Sequence, residues 1–315
     1  MTADNPLEAP LTAGEIAAAR KRIDGAALRT PLVREPETGV WLKLEALQPH
    51  GSYKIRGATN AIRARLERGP VEAVVSASAG NFGQAIAAAA RALRIPVVIH
   101  VPDHAARVKV EALKRLGAEV REHSFEAWWR IMQDRETGDG GQFFHPVCER
   151  EVIAGAATIG EELCEDLDRI ETVVIPIGGG GLASGIAQAV KRRRPFCRIV
   201  AVETDTALPL KAALEAGHPV TVERTPSFVD GMGSTRVLDE MWPLLSTLVD
   251  EVAVVSLAEV EDAIRRLART AHVVAEGAGA AALAAAARLP KGCHVAIVSG
   301  GNIDPAVLSR ILAGA

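Results

Sequence analysis

Short apolar runs alternate with amphipathic segments along most of this 315-residue chain. The runs are too short and too uniformly apolar for half-exposed antiparallel strands, so they predict a parallel sheet that is buried on both faces. Seven strands are predicted in this way, at residues 40–44, 73–76, 96–101, 172–177, 198–202, 251–255 and 294–298. Segments with helical spacing lie between them, at residues 57–68, 83–93, 106–116, 152–167, 182–193 and 258–272. The pattern therefore predicts an α/β fold with right-handed crossover connections.

Composition and charge describe an ordinary globular protein. The chain is 48% hydrophobic and 24% charged, and its length fits two domains or one large α/β unit. A net charge of −3 gives no electrostatic reason to expect nucleic acid or an anionic membrane as a partner. The four cysteines are scattered without a zinc-binding spacing, which fits a reducing compartment. Since neither a membrane-spanning stretch nor a signal peptide is evident, we expect a cytoplasmic protein.

Four consecutive glycines, Gly178, Gly179, Gly180 and Gly181, separate a predicted strand from a predicted helix. Bare backbone N–H groups at a helix N-terminus attract an anion, and the lack of side chains lets a phosphate approach them. The pattern Gly178-x-Gly180-x-x-Ala183 also matches the dinucleotide fingerprint, with Glu203 about 20 residues later, where an acid would bind the ribose. The run therefore predicts a phosphate site and leaves a nicotinamide dinucleotide open as its ligand.

Three further motifs lie at the carboxyl ends of predicted strands, where ligands collect in open parallel sheets. Residues 51–57 contain Lys54 just before a predicted helix, whose positive end disfavours a charged amine, as suits a lysine that forms a Schiff base. Most loop lysines are simply solvated. Residues 76–84 offer hydroxyl and N–H groups for a carboxylate or a ring oxygen, or else an ordinary N-cap, and residues 298–303 follow the last strand. Dinucleotide binding explains neither Lys54 nor the Ser-Ala-Gly-Asn loop.

Taken in this order, the four motifs resemble those of the fold type II (tryptophan synthase β-like) pyridoxal phosphate enzymes, and among them the serine/threonine dehydratase and serine racemase family. The resemblance runs from about residue 28 to the C-terminus. It implies two open, mostly parallel twisted sheets flanked by helices, and pyridoxal 5'-phosphate as the cofactor. It also implies cofactor-binding roles: Lys54 forms the Schiff base, Tyr53 lies beside the cofactor, Asn81 binds its ring hydroxyl, Ser299 faces its pyridine nitrogen, and Gly178, Gly179, Gly180, Gly181 and Leu182 bind its phosphate.

The activity that this resemblance implies is removal of water from L-threonine or L-serine, which yields 2-oxobutanoate or pyruvate and ammonia. Lys54 is then the base that removes the α-proton. The substrate carboxylate is held by a loop formed by Ser78, Ala79, Gly80, Asn81 and Phe82. The acid that protonates the leaving hydroxyl stays open between the Lys54 ammonium and the cofactor phosphate. A hydroxyl at Ser299, in place of a carboxylate, weakens the electron sink and favours elimination over transamination.

Two departures from the family pattern bear on the reaction. Racemases of this family carry a serine immediately before the Gly-Asn pair, where this chain has Ala79, so a dehydratase is favoured over a racemase. Phe125, Trp128 and Trp129 either belong to the core or line the cleft. Lining it, they would disfavour 3-hydroxyaspartate and leave threonine, serine or a bulkier substrate such as 3-phenylserine. A racemase, a β-replacement enzyme and, from another class, a nicotinamide-dependent oxidoreductase remain as alternatives.

The resemblance also bears on metal binding and on domain organisation. Some relatives bind a divalent cation through a Glu, a carbonyl and an Asp; Glu203 and Ala207 fit the first two positions, but Pro209 replaces the Asp, so we expect no metal. Residues 1–68 and 150–315 are expected to form a large cofactor-binding domain, and residues 69–149 a small domain that carries the substrate loop. A homodimer is the assembly that the resemblance implies.

Overall fold

The computed structural model describes residue 5 and residues 7–314 of the chain. The helices in this part of the protein are α1 (Ala13–Ile23), α2 (Lys54–Leu66), α3 (Asn81–Ala92), α4 (Arg107–Arg115), α5 (Phe125–Asp134), α6 (Arg150–Asp166), α7 (Gly181–Arg193), α8 (Pro209–Ala216), α9 (Trp242–Leu248), α10 (Leu257–Arg266), α11 (Gly277–Ala286) and α12 (Pro305–Ala313). The strands are β1 (Leu32–Arg34), β2 (Trp41–Lys43), β3 (Val74–Ala77), β4 (Val97–Pro102), β5 (Glu119–His123), β6 (Gln142–Phe143), β7 (Thr172–Pro176), β8 (Arg198–Thr204), β9 (Glu251–Val255) and β10 (His294–Ile297). None of these helices has both the length and the apolar character needed to cross a membrane.

The larger sheet has six strands in the order β1-β2-β10-β7-β8-β9 and is parallel except for β1, which runs antiparallel to β2. Strands from the two ends of the chain pair directly, as Ala296 of β10 does with Leu42 of β2. The central strands are buried on both faces, with α1, α6 and α7 on one side and α10 and α11 on the other. Their sequences are uniformly apolar because both sides of each strand face a core.

A second, smaller sheet has four parallel strands in the order β5-β4-β3-β6. All of its strands lie between residues 74 and 143, inside the segment expected to form the small domain. Its core also includes Ile55 and Ile62 from α2, which packs beside α3. Because α2 contributes to this core although it precedes residue 69, the division of the chain at residues 69 and 149 stays a prediction.

The α/β architecture with two mostly parallel sheets is confirmed, and the differences lie at individual elements. The helix that contains Lys54 begins at Lys54 itself rather than near Gly57, because Arg56 anchors the first turn through buried ion pairs. The next helix begins at Asn81 instead of residue 83. The sequence pattern misses β1, β5 and β6, which are short or polar edge strands, and also α8, α9 and α12, whose early prolines resemble chain breaks.

Candidate active site

The four motifs of the sequence meet at one cavity of about 160 Å³. The carboxyl ends of β3, β7 and β10 carry three of the motifs, and the first turn of α2 carries the fourth. Every predicted site residue except Ala79 and Gly80 lines this cavity, namely Tyr53, Lys54, Ser78, Asn81, Phe82, Gly178, Gly179, Gly180, Gly181, Leu182 and Ser299. Parallel strands end at the same edge of a sheet, and this is why residues far apart in sequence come together here.

Lys54 is the first residue of α2, and its amine lies within the cavity. Nζ donates a hydrogen bond to the carbonyl oxygen of Pro146 at 3.1 Å. The rings of Tyr53 and Phe82 flank the amine, with their centroids 5.1 and 5.6 Å from Nζ. The backbone before the helix is tied to the last motif, because Tyr53 N donates to Ser299 O at 3.0 Å. The structure therefore offers a primary amine between two aromatic walls.

Arg56, two residues after Lys54, holds the first turn of α2 in place. Its buried guanidinium donates to both carboxylate oxygens of Glu45 at 2.8 Å, and to those of Glu162 at 2.6 and 3.0 Å. Buried Lys43 also pairs with Glu162, at 2.6 Å, so two cations are matched by two carboxylates. Burial would raise the pKa of Glu45, but the Arg56 guanidinium holds that pKa below its usual value. The network fixes the backbone from which Lys54 projects.

The glycine run lies between the end of β7 at Pro176 and the first turn of α7, which begins at Gly181, as the sequence predicts. Gly180 is the N-cap residue and has a φ of +94°, in the left-handed region that favours glycine. The first backbone hydrogen bond at this end of α7 runs from Ser184 N to Gly180 O at 2.9 Å. The backbone N–H groups of residues 181–183 therefore have no partner within the helix. They are available to an anion at the positive end of the helix dipole.

Side chains are excluded from the glycine run by its neighbours. A Cβ atom at three of its positions would approach protein atoms too closely: at Gly178 it would lie 2.8 Å from Gly231 O, at Gly179 2.5 Å from Val147 Cγ2, and at Gly180 2.7 Å from Leu245 Cδ1. Packing thus accounts for three of the glycines and keeps the backbone bare at the cavity surface.

The side-chain amide of Asn81 is fixed at both ends. Its Oδ1 accepts a hydrogen bond from Asn302 Nδ2 at 2.9 Å, and its Nδ2 donates one to Glu276 Oε1 at 2.7 Å. Asn302 is itself held by the carbonyl oxygen of His50 at 2.8 Å. These partners define which end of the amide is the donor, and one N–H of Asn81 is left for a ligand oxygen.

Glu276 is a cavity residue that no motif predicts. It is the N-cap of α11 and is only 6% exposed. Burial, helped by the negative charge of Asp230, raises its pKa to about 7, so its carboxyl holds a proton over part of the neutral range. A signal for it exists in the sequence, because Glu276 is the sole charged residue between positions 273 and 287. A single carboxyl in such an apolar stretch is expected to be buried together with its neighbours. A buried carboxyl is unusual and is a candidate for a functional group.

A second cavity of about 360 Å³ adjoins the first, since Asn81, Gly231 and Glu276 line both. Gly80 lines this second cavity, and Ala79 lines neither of the two. The predicted substrate loop therefore spans the junction between the two cavities rather than lying wholly in one.

Glu203 is committed to a structural role. Its carboxylate accepts hydrogen bonds from Leu210 N at 2.7 Å and Lys211 N at 3.0 Å, and thereby caps the N-terminus of α8. Burial raises the pKa of this carboxyl. A ribose hydroxyl would have to compete with both backbone N–H groups. The oxidoreductase alternative therefore loses the ribose-binding acid that its fingerprint requires. Among the described residues, no three His, Cys, Asp or Glu side chains are grouped so that they could hold a metal ion.

The aromatic residues of α5 line neither cavity. Phe125 and Trp129 are 48% and 39% exposed, and the ring centroid of half-buried Trp128 lies 5.9 Å from that of Phe125 and 6.1 Å from that of Trp129. They form a partly exposed cluster on the helix instead of a core or a cleft wall. These side chains therefore give no reason to disfavour 3-hydroxyaspartate.

Comparison with known proteins agrees with the chemistry of this cavity. The family model described as pyridoxal-phosphate dependent enzyme matches residues 23–300. An L-threonine ammonia-lyase from Thermotoga maritima is 39% identical over 317 residues, which cover 96% of this chain and 78% of that protein.

Solved structures with the same fold include both lyases and racemases. Maize serine racemase has a TM-score of 0.88 and 31% identity, over 97% of this chain and 98% of that one. The processed form of threonine deaminase isoform 2 from Solanum lycopersicum has a TM-score of 0.85 and 28% identity, over 97% and 95% of the two chains.

Proposed function

Because this chain belongs to the family of pyridoxal-phosphate-dependent enzymes, we propose that it is an ammonia-lyase that removes water from L-threonine or L-serine. The products are 2-oxobutanoate or pyruvate, and ammonia. The T. maritima L-threonine ammonia-lyase and the S. lycopersicum threonine deaminase support this reaction over others. The observation that carries it is the meeting of the Lys54 amine and the glycine run in a single cavity.

The residues of the cavity fit pyridoxal 5'-phosphate as their cofactor. The bare N–H groups of the glycine run at the start of α7 suit its phosphate. Lys54 would hold its aldehyde carbon through Nζ, Asn81 its ring hydroxyl and Ser299 its pyridine nitrogen, with Tyr53 beside the ring. When bound, this cofactor serves as an electron sink that weakens the Cα–H bond of the substrate.

The chain's own residues bind and orient the substrate. The positive end of α3, which begins at Asn81, suits the substrate carboxylate, and the Ser78 hydroxyl lies in the same cavity. Lys54 would remove the α-proton, since its primary amine lies in the same cavity. The rings of Tyr53 and Phe82 limit the access of water to that amine.

Racemisation is the second candidate, because the maize serine racemase structure has a TM-score of 0.88, against 0.85 for the threonine deaminase structure. A racemase needs a second acid or base on the face of the substrate opposite Lys54. The residue expected to supply it is Ala79, whose methyl group transfers no proton. Elimination is therefore the reaction that we favour.

We extend the proposal to the organisation of the protein. Residues 1–68 and 150–315 would form the large domain and residues 69–149 the small one. Arg135 and Glu240 form an ion pair of 2.6 Å between the two segments, and Lys109 and Asp230 form a second ion pair between them, so the segments contact each other through charged side chains. A cytoplasmic homodimer is the state that we expect.

The test is a screen for 2-oxo acid release by the purified protein loaded with pyridoxal phosphate. L-Threonine, L-serine, 3-hydroxyaspartate and 3-phenylserine are the substrates, and chiral chromatography of the serine reaction detects D-serine. We expect 2-oxo acid from threonine or serine, little D-serine, and no product with Lys54→Ala. Formation of D-serine faster than pyruvate would reverse the order of the two candidates, and no 2-oxo acid from any substrate would refute the proposal.

A further inference from the structure

The proposed reaction requires one proton donor besides the base. Loss of water from a 3-hydroxy amino acid takes a proton from Cα and delivers one to the departing oxygen, because hydroxide is a poor leaving group. Lys54 accomplishes the first transfer. The second is best served by a group that already holds a proton when the reaction begins.

We propose that Glu276 is the acid that donates this proton to the leaving hydroxyl, an inference that rests on the function proposed above. Its carboxyl lines the cofactor cavity with Lys54 and also lines the second cavity. Oε1 accepts the hydrogen bond from Asn81 Nδ2, and Oε2 makes no hydrogen bond to any other described residue. Oε2 is therefore the oxygen that carries the proton toward the substrate.

The surroundings of Glu276 favour its protonated form. The backbone of Gly300 packs so closely that a Cβ atom there would collide with Oε1. Among the charged groups around it, Asp230 disfavours ionisation, whereas Lys54 and Lys109 favour it. Lys109 and Asp230 form an ion pair with each other, so their opposite effects on the pKa of Glu276 partly offset each other. Burial is the largest influence, and it raises the pKa of Glu276 to about 7.

The proton count balances over the two residues. Lys54 takes the proton from Cα, and the electrons of that bond form the Cα–Cβ double bond. The Cβ–O bond breaks with its electron pair on oxygen, which takes the proton of Glu276 and departs as water. Lys54 is then an ammonium and Glu276 a carboxylate, and proton transfer between them restores both. A base and an acid with different environments in one cavity is the arrangement that such chemistry needs.

Replacement of Glu276 by Gln separates proton donation from positioning. Gln keeps an oxygen that accepts the Asn81 hydrogen bond but has no acidic proton. L-Serine is compared with L-3-chloroalanine, because chloride leaves without being protonated. We expect Glu276→Gln to lower kcat for serine by about 10²- to 10⁴-fold, the usual contribution of a general acid, and kcat for chloroalanine by less than about tenfold. Glu276→Asp, which keeps an acidic proton, should recover part of the serine activity.

The outcomes distinguish this inference from the proposed function. Equal slowing on both substrates would mean that Glu276 only holds Asn81, and unchanged rates on both would mean that another group supplies the proton; either result overturns the inference. Cofactor absorbance and thermal unfolding of each variant establish that it folds and loads. A wild-type protein that releases no 2-oxo acid from serine or threonine would instead overturn the proposed function.

An infrared measurement tests the proton of Glu276 without any turnover. The difference spectrum of cofactor-free wild type minus Glu276→Gln should contain the C=O band of a protonated carboxyl, which disappears as the pH rises through about 7. The subtraction removes the band of Glu149, a second buried carboxyl whose pKa is also raised to about 7. Absence of the band below that pH would contradict the inference.

Discussion

Substitution of Gly180 by Ala perturbs the glycine run at its most constrained position. The φ of +94° lies in the left-handed region, where an L-residue costs about 1–2 kcal/mol. The new Cβ would lie 2.7 Å from Leu245 Cδ1, and overpacking of this kind costs about 1–3 kcal/mol. The two terms add to about 2–5 kcal/mol, a large part of the 5–15 kcal/mol that typically holds a domain folded. We therefore expect Gly180→Ala to be less stable and to distort the proposed phosphate site.

The assay separates strain in the protein from loss of the ligand. Urea unfolding of the cofactor-free proteins measures the strain, and absorbance titration with pyridoxal phosphate measures affinity, which should fall at least about tenfold if 1.4 kcal/mol or more of the strain opposes binding. Gly181→Ala is the matched control for stability, because its Cβ would lie 3.6 Å from the nearest atom and its backbone is not left-handed. A Gly180→Ala protein as stable as Gly181→Ala, with unchanged affinity, would refute the reasoning.

Three further changes probe other parts of the account. Arg56→Met should lower the free energy of unfolding in urea by about 3–5 kcal/mol, because Glu45 and Glu162 would lose a buried partner, and a loss below about 1 kcal/mol would contradict this. Burial lowers the pKa of His145 from 6.5 to about 3, and its neutral Nδ1 accepts two backbone hydrogen bonds, so its stabilisation is present above pH 6.5 and is lost as the pH falls toward 3. His145→Asn, which can accept the same bonds without titrating, should flatten the dependence of stability on pH in that window; an unchanged slope would count against the assignment. Ala79→Ser should raise D-serine formation relative to pyruvate release, and an unchanged ratio would remove Ala79 as the reason for preferring elimination.

The fold and the positions of the four motifs could be predicted because their causes are local in sequence. Strands buried on both faces must be apolar throughout, so β7 and β10 are evident as short apolar runs. The glycine run is evident because other residue types do not fit there. Gly180 has a left-handed backbone, and a Cβ atom would collide with neighbouring atoms at Gly178, Gly179 and Gly180. The start of α2 at Lys54 escaped prediction, since the buried ion pairs of Arg56 that anchor it involve distant residues.

The parts of the site that escaped prediction depend on long-range contacts. Glu276 meets Asn81 across 195 positions of sequence, and its raised pKa arises from burial that only the assembled fold creates. Conversely, Glu203 has the right spacing for a ribose-binding acid, but the fold directs it to the N-terminus of α8. Spacing alone does not reveal which partner a carboxylate finds.

The proposed chemistry depends most on covalent attachment of the cofactor to Lys54. Borohydride reduction of the pyridoxal phosphate-loaded protein, followed by proteolysis and mass spectrometry, should place the phosphopyridoxyl group on the peptide that contains Lys54, and Lys54→Ala should carry no label. A colourless protein that borohydride does not label, or a label on a different lysine, would contradict the account.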